Sequence, residues 1–530
     1  MIGSAPSLTT CSSRFLYTCP APASAAARTG LLSRRWRGLW ARLPGLTFRD
    51  APARKIKSAL ARIPRRTAVS LLEIRLMPSV EGKLDDAYAK SLLRSAARLS
   101  PEDIVFVLPE EYHVVKRGRR VTMVLPCFHR ATSIEVDTRS LTIMPTPGGE
   151  LPMLEKLSIS GNIVDIGAFL NCCPRLRVLG VTFRGVNPGS LEPELTRLES
   201  QAALGLTVSR LGMEIKSSVD GAQFAALLRV AARLYPRELL FTSQFYVRLD
   251  ADLLCFHRTT SIEMDFYSLR FTQLMPGEFS ALETLDLKGC TIIDLVAMIT
   301  HCPRLRVLNA KIDTYASNVM VHSVSLEDLG LNVRDTECRS IHIVTPLLKK
   351  LRLNVHGKTN NPLAVAMEFE HEVEKLLVTN FSVLELNLNT MGHVFGALVA
   401  RLLKIHHIRT NTRKLKVVLR QWFQMEESKC LGNCLCDEPK DWRNQNISLT
   451  RLEEVEINDF TGRDLEVDFL TMIFGWAPVL TRMNIKLAYA NEQSEIEGWA
   501  TTIHDICLAY PSVNCSVYLS SGEKWSGPQA

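Results

Sequence analysis

The sequence predicts an α/β fold in which short parallel strands and helices repeat as irregular coils of a solenoid. The first observation is the motif L-x-x-L-x-L, which spans Leu154–Ile159 and returns at Leu176–Val181, 22 residues later. A second pair of copies begins at Leu282 and Leu305, which lie 23 residues apart. A period near 22 residues is typical of leucine-rich repeats.

The same motif continues toward the C terminus. Further copies are LEDLGL, LKKLRL, LELNL, LEEVEI and LTRMNI, beginning at Leu326, Leu348, Leu384, Leu452 and Leu480. The last two apolar residues of each copy are two positions apart, so both point to one face of a strand. One coil cannot bury them alone, whereas stacked coils bury a continuous row and expose the opposite strand face. The alternative is another all-parallel α/β domain with chance leucine spacing.

Longer stretches of the chain are duplicated. CPRLRVL occurs at Cys173 and again at Cys302, 129 residues later. LLRSAARLSPEDIVF (Leu92–Phe106) likewise matches LLRVAARLYPRELLF (Leu227–Phe241). We therefore expect two copies of one unit, each with a helix, several strands and a closing helix. The copies cover residues 69–182 and 208–311.

The residues between strands predict short helices over the same core. In IVDIGAFLNC (Ile163–Cys172) the apolar residues recur at helical spacing. Pro174 should end this helix, because proline disfavours the α conformation in the residue before it. Cys172 and Cys302, which lie near these prolines, are predicted to be small buried hydrophobic residues.

Charge is distributed unevenly along the chain. The net charge is +8, but residues 1–66 alone carry 13 Lys and Arg and one acid, so the remainder is close to neutral. This distribution argues against a broad nucleic-acid surface. No apolar run of about 18 residues occurs, so we expect no membrane-spanning helix and no membrane partner. Fourteen scattered cysteines without an apolar signal region favour reduced thiols in the cytoplasm, the nucleus or both.

A short helix is predicted near the N terminus. Within LLSRRWRGLW the apolar residues share one helix face: Leu32, Trp36, Leu39 and Trp40. Pro44 and Gly45 then break the helix, and an extended piece is predicted from Leu46. Residues 1–49 contain no Asp or Glu, which is also the composition of a transit peptide.

Several of these stretches resemble a known family. RTGLLSRRWRGLW (Arg28–Trp40) resembles the second half of a plant F-box. The CPRLRVL copies and residues 434–462, 474–487 and 513–525 resemble the leucine-rich repeats and FBD-type C-terminal region of grass F-box proteins. The stretch MIGSAPSLTTCSSRFLYT does not match the Leu-Pro-rich first helix of the family, so the first half of the F-box is missing from this sequence. Either the F-box is incomplete in the protein, or the start of the chain is assigned wrongly.

The resemblance implies a function. It implies a substrate-recognition subunit of an SCF-type cullin-RING ubiquitin ligase, which docks on a Skp-type adaptor, binds a client protein and is not itself an enzyme. The implied adaptor-binding residues, each of which could instead pack inside a small helical domain, are Leu31, Leu32, Trp36, Leu39 and Trp40. The alternative is a leucine-rich-repeat scaffold or decoy that no longer docks on the ligase because its F-box is incomplete.

These observations predict an order of domains. It runs from a disordered segment (1–24) through a partial F-box (25–50), a basic linker (51–66) and a leucine-rich-repeat solenoid (67–430) to an FBD-like repeat region (431–530). The basic run Arg54–Arg66 is also compatible with a nuclear-localisation or anionic-surface patch. Outward strand residues are the candidates for client binding: Lys156, Ser158, Arg177, Thr284, Asp286 and Arg306.

Other clusters of reactive residues are given structural interpretations. Cys430, Cys434 and Cys436 could hold zinc but lack a fourth ligand, so a loop is predicted and no metal site. His406 and His407 are adjacent and should face opposite ways, which disfavours a joint ligand role. The repeated Phe-His-Arg triplets at 128–130 and 256–258 are predicted to be structural. No catalytic motif is recognised, so we expect neither an enzyme nor a cofactor.

Overall fold

The computed structural model describes the chain in separate stretches. They are residues 43–51, 53–64, 69–76, 86–108, 122–163, 166–184, 207–245, 248–254, 256–274, 277, 279–312, 318–334, 340–356, 381–389, 395–419, 443, 445–490 and 492–525. These residues form two compact units. The first runs to Thr259 and includes Asp265–Tyr267, and the second comprises Thr260–Met264 and the described residues from Ser268 onward. Each unit is an α/β arrangement of parallel strands with few helices.

The first unit alternates strands with helices. Its strands are β1 (Gly45–Ala51), β2 (Leu71–Leu76), β3 (Asp103–Val107), β4 (Thr122–Leu125), β5 (Ser133–Pro145), β6 (Lys156–Ile163), β7 (Val178–Arg184), β8 (Arg210–Lys216), β9 (Glu238–Ser243) and β10 (Leu249–Leu253). Its helices are α1 (Ala53–Arg62), α2 (Asp86–Ala97), α3 (Ile166–Cys172) and α4 (Gly221–Arg233).

The strands of the first unit stack in chain order. β1, β2, β3, β5, β6, β7, β8 and β9 pair successively in parallel, and β4 pairs with the distal part of β5. One apolar residue from each of the eight successive strands lies in the same row, and every member is buried: Leu46, Leu72, Ile104, Ile134, Leu157, Leu179, Leu211 and Leu239. Each such burial contributes about 1.5–3 kcal/mol, which no coil gains alone.

The second unit carries the remaining elements. Its strands are β11 (Ser261–Asp265), β12 (Leu269–Leu274), β13 (Thr284–Ile292), β14 (Val307–Ile312), β15 (Asn318–His322), β16 (Asp328–Arg334), β17 (Ser340–Val344), β18 (Lys350–His356), β19 (Val383–Asn389), β20 (Lys414–Leu419), β21 (Glu454–Phe460), β22 (Arg482–Leu487) and β23 (Asn514–Tyr518). Its helices are α5 (Leu295–Thr300), α6 (Phe395–Lys404), α7 (His406–Asn411), α8 (Asp464–Trp476) and α9 (Gln493–Leu508).

The second unit has the same solenoid-like order of strands. β13, β14, β16, β18, β19, β20, β21, β22 and β23 pair successively in parallel, and β15 and β17 form a separate parallel pair. Its row of buried residues is Leu285, Leu308, Leu329, Leu351, Leu384, Leu415, Val455 and Met483. The prediction that the leucines of the motif are buried in a continuous row is therefore confirmed.

Repeated hydrogen bonds at the N-terminal edge of each sheet align the coils. The carbonyl of Thr132 accepts the N–H groups of Glu155 at 2.9 Å and Lys156 at 3.0 Å. The carbonyl of Arg306 accepts the N–H groups of Glu327 at 2.8 Å and Asp328 at 2.9 Å, where the next coil begins. Because each pair sets where the next strand begins, the apolar rows stay in register across neighbouring coils.

The predicted closing helices are confirmed. α3 ends at Cys172, two residues before Pro174, as the proline requires. In the second copy Asp294 accepts a hydrogen bond from the N–H of Ala297 at 2.8 Å, which caps the N terminus of α5. The cysteines Cys172 and Cys302 are buried, as predicted.

The duplicated sequences form the same order of elements. The first copy runs through β2, α2, β3, β4, β5, β6, α3 and β7, and the second through β8, α4, β9, β10, β11, β12, β13, α5 and β14. The long β5 of the first copy therefore corresponds to two shorter strands in the second. In the repeated Phe-His-Arg triplets Phe128 and Phe256 are buried, whereas His129 and His257 are exposed, in agreement with a structural role.

The segment predicted to be a basic linker is a helix. Residues 53–62 form α1. Ile56 and Leu60 on this helix and Ile63 just after it are buried, while Arg54 and Lys55 remain exposed. These apolar residues, at i, i+4 and i+7, form one buried side of a segment whose sequence is dominated by basic residues. The extended piece predicted from Leu46 is confirmed as β1.

Candidate binding surface

The outward faces of the parallel strands in the two units carry most of the candidate residues. In the second unit, the nine successive strands from β13 to β23 extend over roughly 38 Å at about 4.8 Å per strand. Side chains there alternate with the buried row, so each coil contributes one or two outward groups. Three candidates lie in the first unit and three in the second.

Lys156 and Ser158 lie on β6 and point away from the core. Lys156 is exposed and Ser158 is half-buried, while Leu157 between them is buried. Ser158 pairs with Gly180 on β7, and Gly180 pairs with Gly212 on β8. The outward surface beside Ser158 is therefore flat, because two successive strands carry no side chain at this position.

Thr284 and Asp286 lie on β13, as predicted. Both are half-buried, and Asp286 Oδ1 accepts a hydrogen bond from Asn309 Nδ2 at 2.8 Å. Lys288 Nζ lies 3.6 Å from Asp286 Oδ2. Asn309 lies on β14 and pairs with Gly330 on β16. A Cβ added at Gly330 would lie 2.6 Å from Asn309 Oδ1. The glycine therefore leaves the space that the Asn309 amide occupies.

Arg177 and Arg306 are not strand residues, which corrects the prediction. Each lies one position before its strand, at the edge where the paired backbone hydrogen bonds form. Arg306 Nε donates to Glu327 Oε1 at 2.9 Å, and Lys349 Nζ donates to Glu327 Oε2 at 2.6 Å. The hydrogen bonds from Lys349 and then Arg306 lower the pKa of Glu327.

Paired charges on the strands of the second unit were not predicted. Arg352 on β18 donates to both carboxylate oxygens of Asp328 on β16, at 3.2 and 2.9 Å. Lys350, also on β18, lies 2.6 Å from Glu385 on β19. Both basic residues flank the buried Leu351, so the alternation that identified Lys156 and Ser158 would also have identified them.

The pairing continues across β20, β21 and β22. Lys414 Nζ lies 2.8 Å from Glu454 Oε1, and Lys416 Nζ lies 2.9 Å from Glu456 Oε1. Arg482 NH2 reaches Glu454 Oε2 at 3.0 Å. Burial alone would raise the pKa of Glu456, but the hydrogen bond and charge of Lys416 outweigh burial and lower it. Lysines and glutamates thus meet in fixed geometry along this face.

The outward strand face of the second unit carries ion pairs between neighbouring coils. Neighbouring cations lower the pKa of two of its carboxylates, Glu327 and Glu456. Among the residues that the structure describes, no group of three or more His, Cys, Asp or Glu side chains could together hold a metal ion. None of the described helices is long and apolar enough to cross a membrane.

The remaining candidates have separate outcomes. His406 and His407 begin α7, and both are exposed, with ring centroids 5.5 Å apart in an edge-to-face contact. The expectation that they face opposite ways is wrong, because adjacent residues of an α-helix project only about 100° apart. The proposed adaptor-binding residues Leu31, Leu32, Trp36, Leu39 and Trp40 lie outside the described residues, as do Cys430, Cys434 and Cys436.

A scan against protein-family models finds no match, and a search of curated proteins finds no significant match.

Proposed function

We propose that this protein is the substrate-recognition subunit of an SCF-type cullin-RING ubiquitin ligase. In this proposal the coils are leucine-rich repeats, and their outward strand face binds a client protein. The observation that carries the proposal is the row of paired charges along β16 to β22, on a sheet whose opposite side is buried. The ligase assignment rests on the resemblance of Arg28–Trp40 to an F-box.

Such a subunit acts by raising the local concentration of the client protein near the ubiquitin-conjugating enzyme. The segment that resembles an F-box, Arg28–Trp40, would hold the Skp-type adaptor, and the strand face would hold the client near the ubiquitin-conjugating enzyme. The chain itself breaks no bond, so it is not an enzyme and needs no cofactor. Charge complementarity at the strand face selects the client more than it adds raw affinity.

The first test is retention on a purified Skp-type adaptor. We expect the full-length chain to be retained, and the double variant W36A/W40A to lose at least about tenfold in affinity, as hot-spot aromatic residues do. R451E, which changes an exposed residue in the turn before β21, is the control and should bind as the unaltered chain does. Equal retention of W36A/W40A would contradict the docking role of the two tryptophans.

The second test concerns the client. Proximity labelling with and without proteasome inhibition should reveal proteins that accumulate only when degradation is blocked. K414E/K416E reverses two charges of the strand face and should reduce this labelling, whereas R451E should not. If K414E/K416E labels the same proteins to the same extent, the strand face is not the client surface.

A scaffold or decoy is the second candidate function. It is favoured by the N-terminal stretch MIGSAPSLTTCSSRFLYT, which does not match the Leu-Pro-rich helix of the F-box family. A chain that labels partners through the strand face but is not retained on the adaptor would support this alternative. Partners would then not accumulate when the proteasome is inhibited.

A further inference from the structure

Two cysteines of the C-terminal coil line one cavity. Cys507 lies in the last turn of α9, and Cys515 is the second residue of β23. Each thiol shifts the pKa of the other. Both side chains are partly exposed, in contrast to the buried Cys172 and Cys302. The two thiols therefore share one site that small molecules can reach.

The position of Cys515 explains its exposure. It pairs with Met483 on β22 and so continues the buried row of the second unit. Leu415 and Val455 occupy this row in earlier coils and are fully buried. β23 is the last described strand of the row, so no further described coil covers Cys515 from the other side. The last described residue of this buried row is therefore Cys515, whose thiol is partly exposed to solvent.

The two cysteines line a cavity of about 490 Å³. Lys524 and Trp525 form part of its wall, because the chain after β23 turns back and the N–H of Trp525 donates to the carbonyl of Val517 at 2.9 Å. His504 on α9 also lines the cavity, and its ring centroid lies 5.9 Å from that of Trp525.

The surroundings favour a thiolate at Cys515. The hydrogen bond from Cys507 lowers the pKa of Cys515, and the same contact, with burial, raises the pKa of Cys507. Lys524 lines the same cavity, and a cation that approaches a thiolate stabilises it. One cysteine is thus suited to attack and the other to remain a thiol until the second step.

We propose that Cys515 and Cys507 form a redox modification site, at which Cys515 attacks a small anionic disulfide such as oxidised glutathione and Cys507 resolves the product. The cavity has room for part of a peptide, and Lys524 supplies a positive charge for its carboxylates. This inference is independent of the proposed ligase function.

The reaction proceeds in two balanced exchanges. The Cys515 thiolate attacks one sulfur of oxidised glutathione, a Cys515–glutathione bond forms, and the first glutathione thiolate leaves and takes up a proton. Cys507 then loses its proton and attacks the sulfur of Cys515, which expels the second glutathione. The two cysteines lose two electrons in total, and oxidised glutathione is reduced to two thiols. The new disulfide ties the end of α9 to β23.

The test uses the full-length chain, reduced and then exposed to oxidised glutathione. After alkylation of the remaining thiols, peptide mass spectrometry should detect a disulfide between Cys507 and Cys515. In the reduced chain Cys515 should be alkylated about tenfold faster than the half-exposed Cys127, which serves as an internal control. Absence of the disulfide, or equal alkylation rates at Cys515 and Cys127, would overturn the proposal.

Variants separate the two roles. C507S should accumulate the mixed disulfide with glutathione at Cys515, whereas C515S should form neither product. K524M should slow the first exchange several-fold and still allow the disulfide to form. If C515S formed a mixed disulfide at Cys507 as fast as C507S forms one at Cys515, the assignment of the attacking and resolving cysteines would be wrong. If K524M reacted at an unchanged rate, Lys524 would have no role in the first exchange.

Discussion

Two glutamates show how local contacts set the charge of a residue. Glu73 lies on β2 between buried residues, and Arg49 donates to its two carboxylate oxygens at 3.1 and 3.0 Å. Burial would raise the pKa of Glu73, but Arg49 and Arg75 outweigh burial and lower it. Glu466 in α8 has hydroxyl and amide donors instead, and burial raises its pKa. The two residues therefore give opposite pH dependences.

Replacing Glu73 should reduce stability in a pH-dependent way. Because its pKa is lower in the folded state, its contribution is present above the ordinary glutamate pKa and is lost as the pH falls through the folded value. We expect E73Q to lower the free energy of unfolding by about 1–3 kcal/mol near pH 7, with a smaller effect near pH 3. Urea unfolding at the two pH values measures this. E102Q, which alters an exposed pair with Arg130, should change stability by less than about 0.5 kcal/mol.

Replacing Glu466 should have the opposite pH signature. Its carboxylate accepts hydrogen bonds from the Thr461 N–H at 2.7 Å and the Thr461 hydroxyl at 3.0 Å. The raised pKa means that the folded state holds the proton more tightly, so stability falls as the pH rises above the ordinary value of 4.5 and levels off above the folded pKa. Urea unfolding at several pH values measures this fall in stability. E466Q should lack it, whereas the control E495Q, which changes an exposed glutamate, should retain it. A decline of equal size in E466Q would show that Glu466 is not its source.

At the scale of single residues the sequence predicted which side chains are buried better than which charged side chains form ion pairs. The leucines of each motif are recognisable because their spacing is local. Whether Lys350 meets Glu385 depends on which residues face each other across two strands that lie 33 positions apart in register. The length and path of the connecting chain decide that register, and no local pattern encodes it.

Elements were predicted well where a turn or cap signal accompanied the apolar pattern. α3 is bounded by Pro174, whereas α1 has no such marker and its basic residues suggested a linker. The strands β15 and β17 carry no leucine motif and were not predicted. Their buried residues Val321 and Ile343 lie side by side in register, and α5 contacts β15, so their burial depends on other elements rather than on a local pattern.

The N terminus of α4 offers a test at the scale of one element. Asp220 Oδ1 accepts the N–H of Gln223 at 2.8 Å, and Gln223 Oε1 accepts the N–H of Asp220 at 3.2 Å, which is a capping box. D220A should lower the free energy of unfolding by about 1 kcal/mol, because the N–H of Gln223 loses its acceptor. Thermal unfolding measures the loss. D220S keeps a capping oxygen and should recover most of it; equal losses in D220A and D220S would contradict the capping explanation.

At the scale of the whole molecule, stability depends on neighbouring coils. Leu351 lies between Leu329 and Leu384 in the buried row, so its removal opens a cavity bounded by two other coils. We expect L351A to lower the free energy of unfolding by about 2–5 kcal/mol. L347A is the matched control: Leu347 is 54% exposed, and its loss should cost less than about 0.5 kcal/mol. Urea unfolding distinguishes the two, and equal effects would contradict a continuous core.

The division into two compact units was not predicted. It falls near Thr259, within the second sequence copy (208–311), while the predicted boundary between residues 430 and 431 lies outside the described residues. A duplication records how the chain arose, whereas a compact unit reflects how many contacts its coils make with their neighbours. In a solenoid each coil contacts mainly the next one, so the two kinds of boundary need not agree.

The sequence by itself determined the alternation of buried leucines with outward polar residues and the positions at which helices stop. These features follow from periods of two to four residues and from the fixed backbone geometry of proline. Only the tertiary structure decided which charges pair along the second sheet and that Cys507 meets Cys515. Those contacts join residues 8 to 40 positions apart, so they exist only after the strands have taken their register.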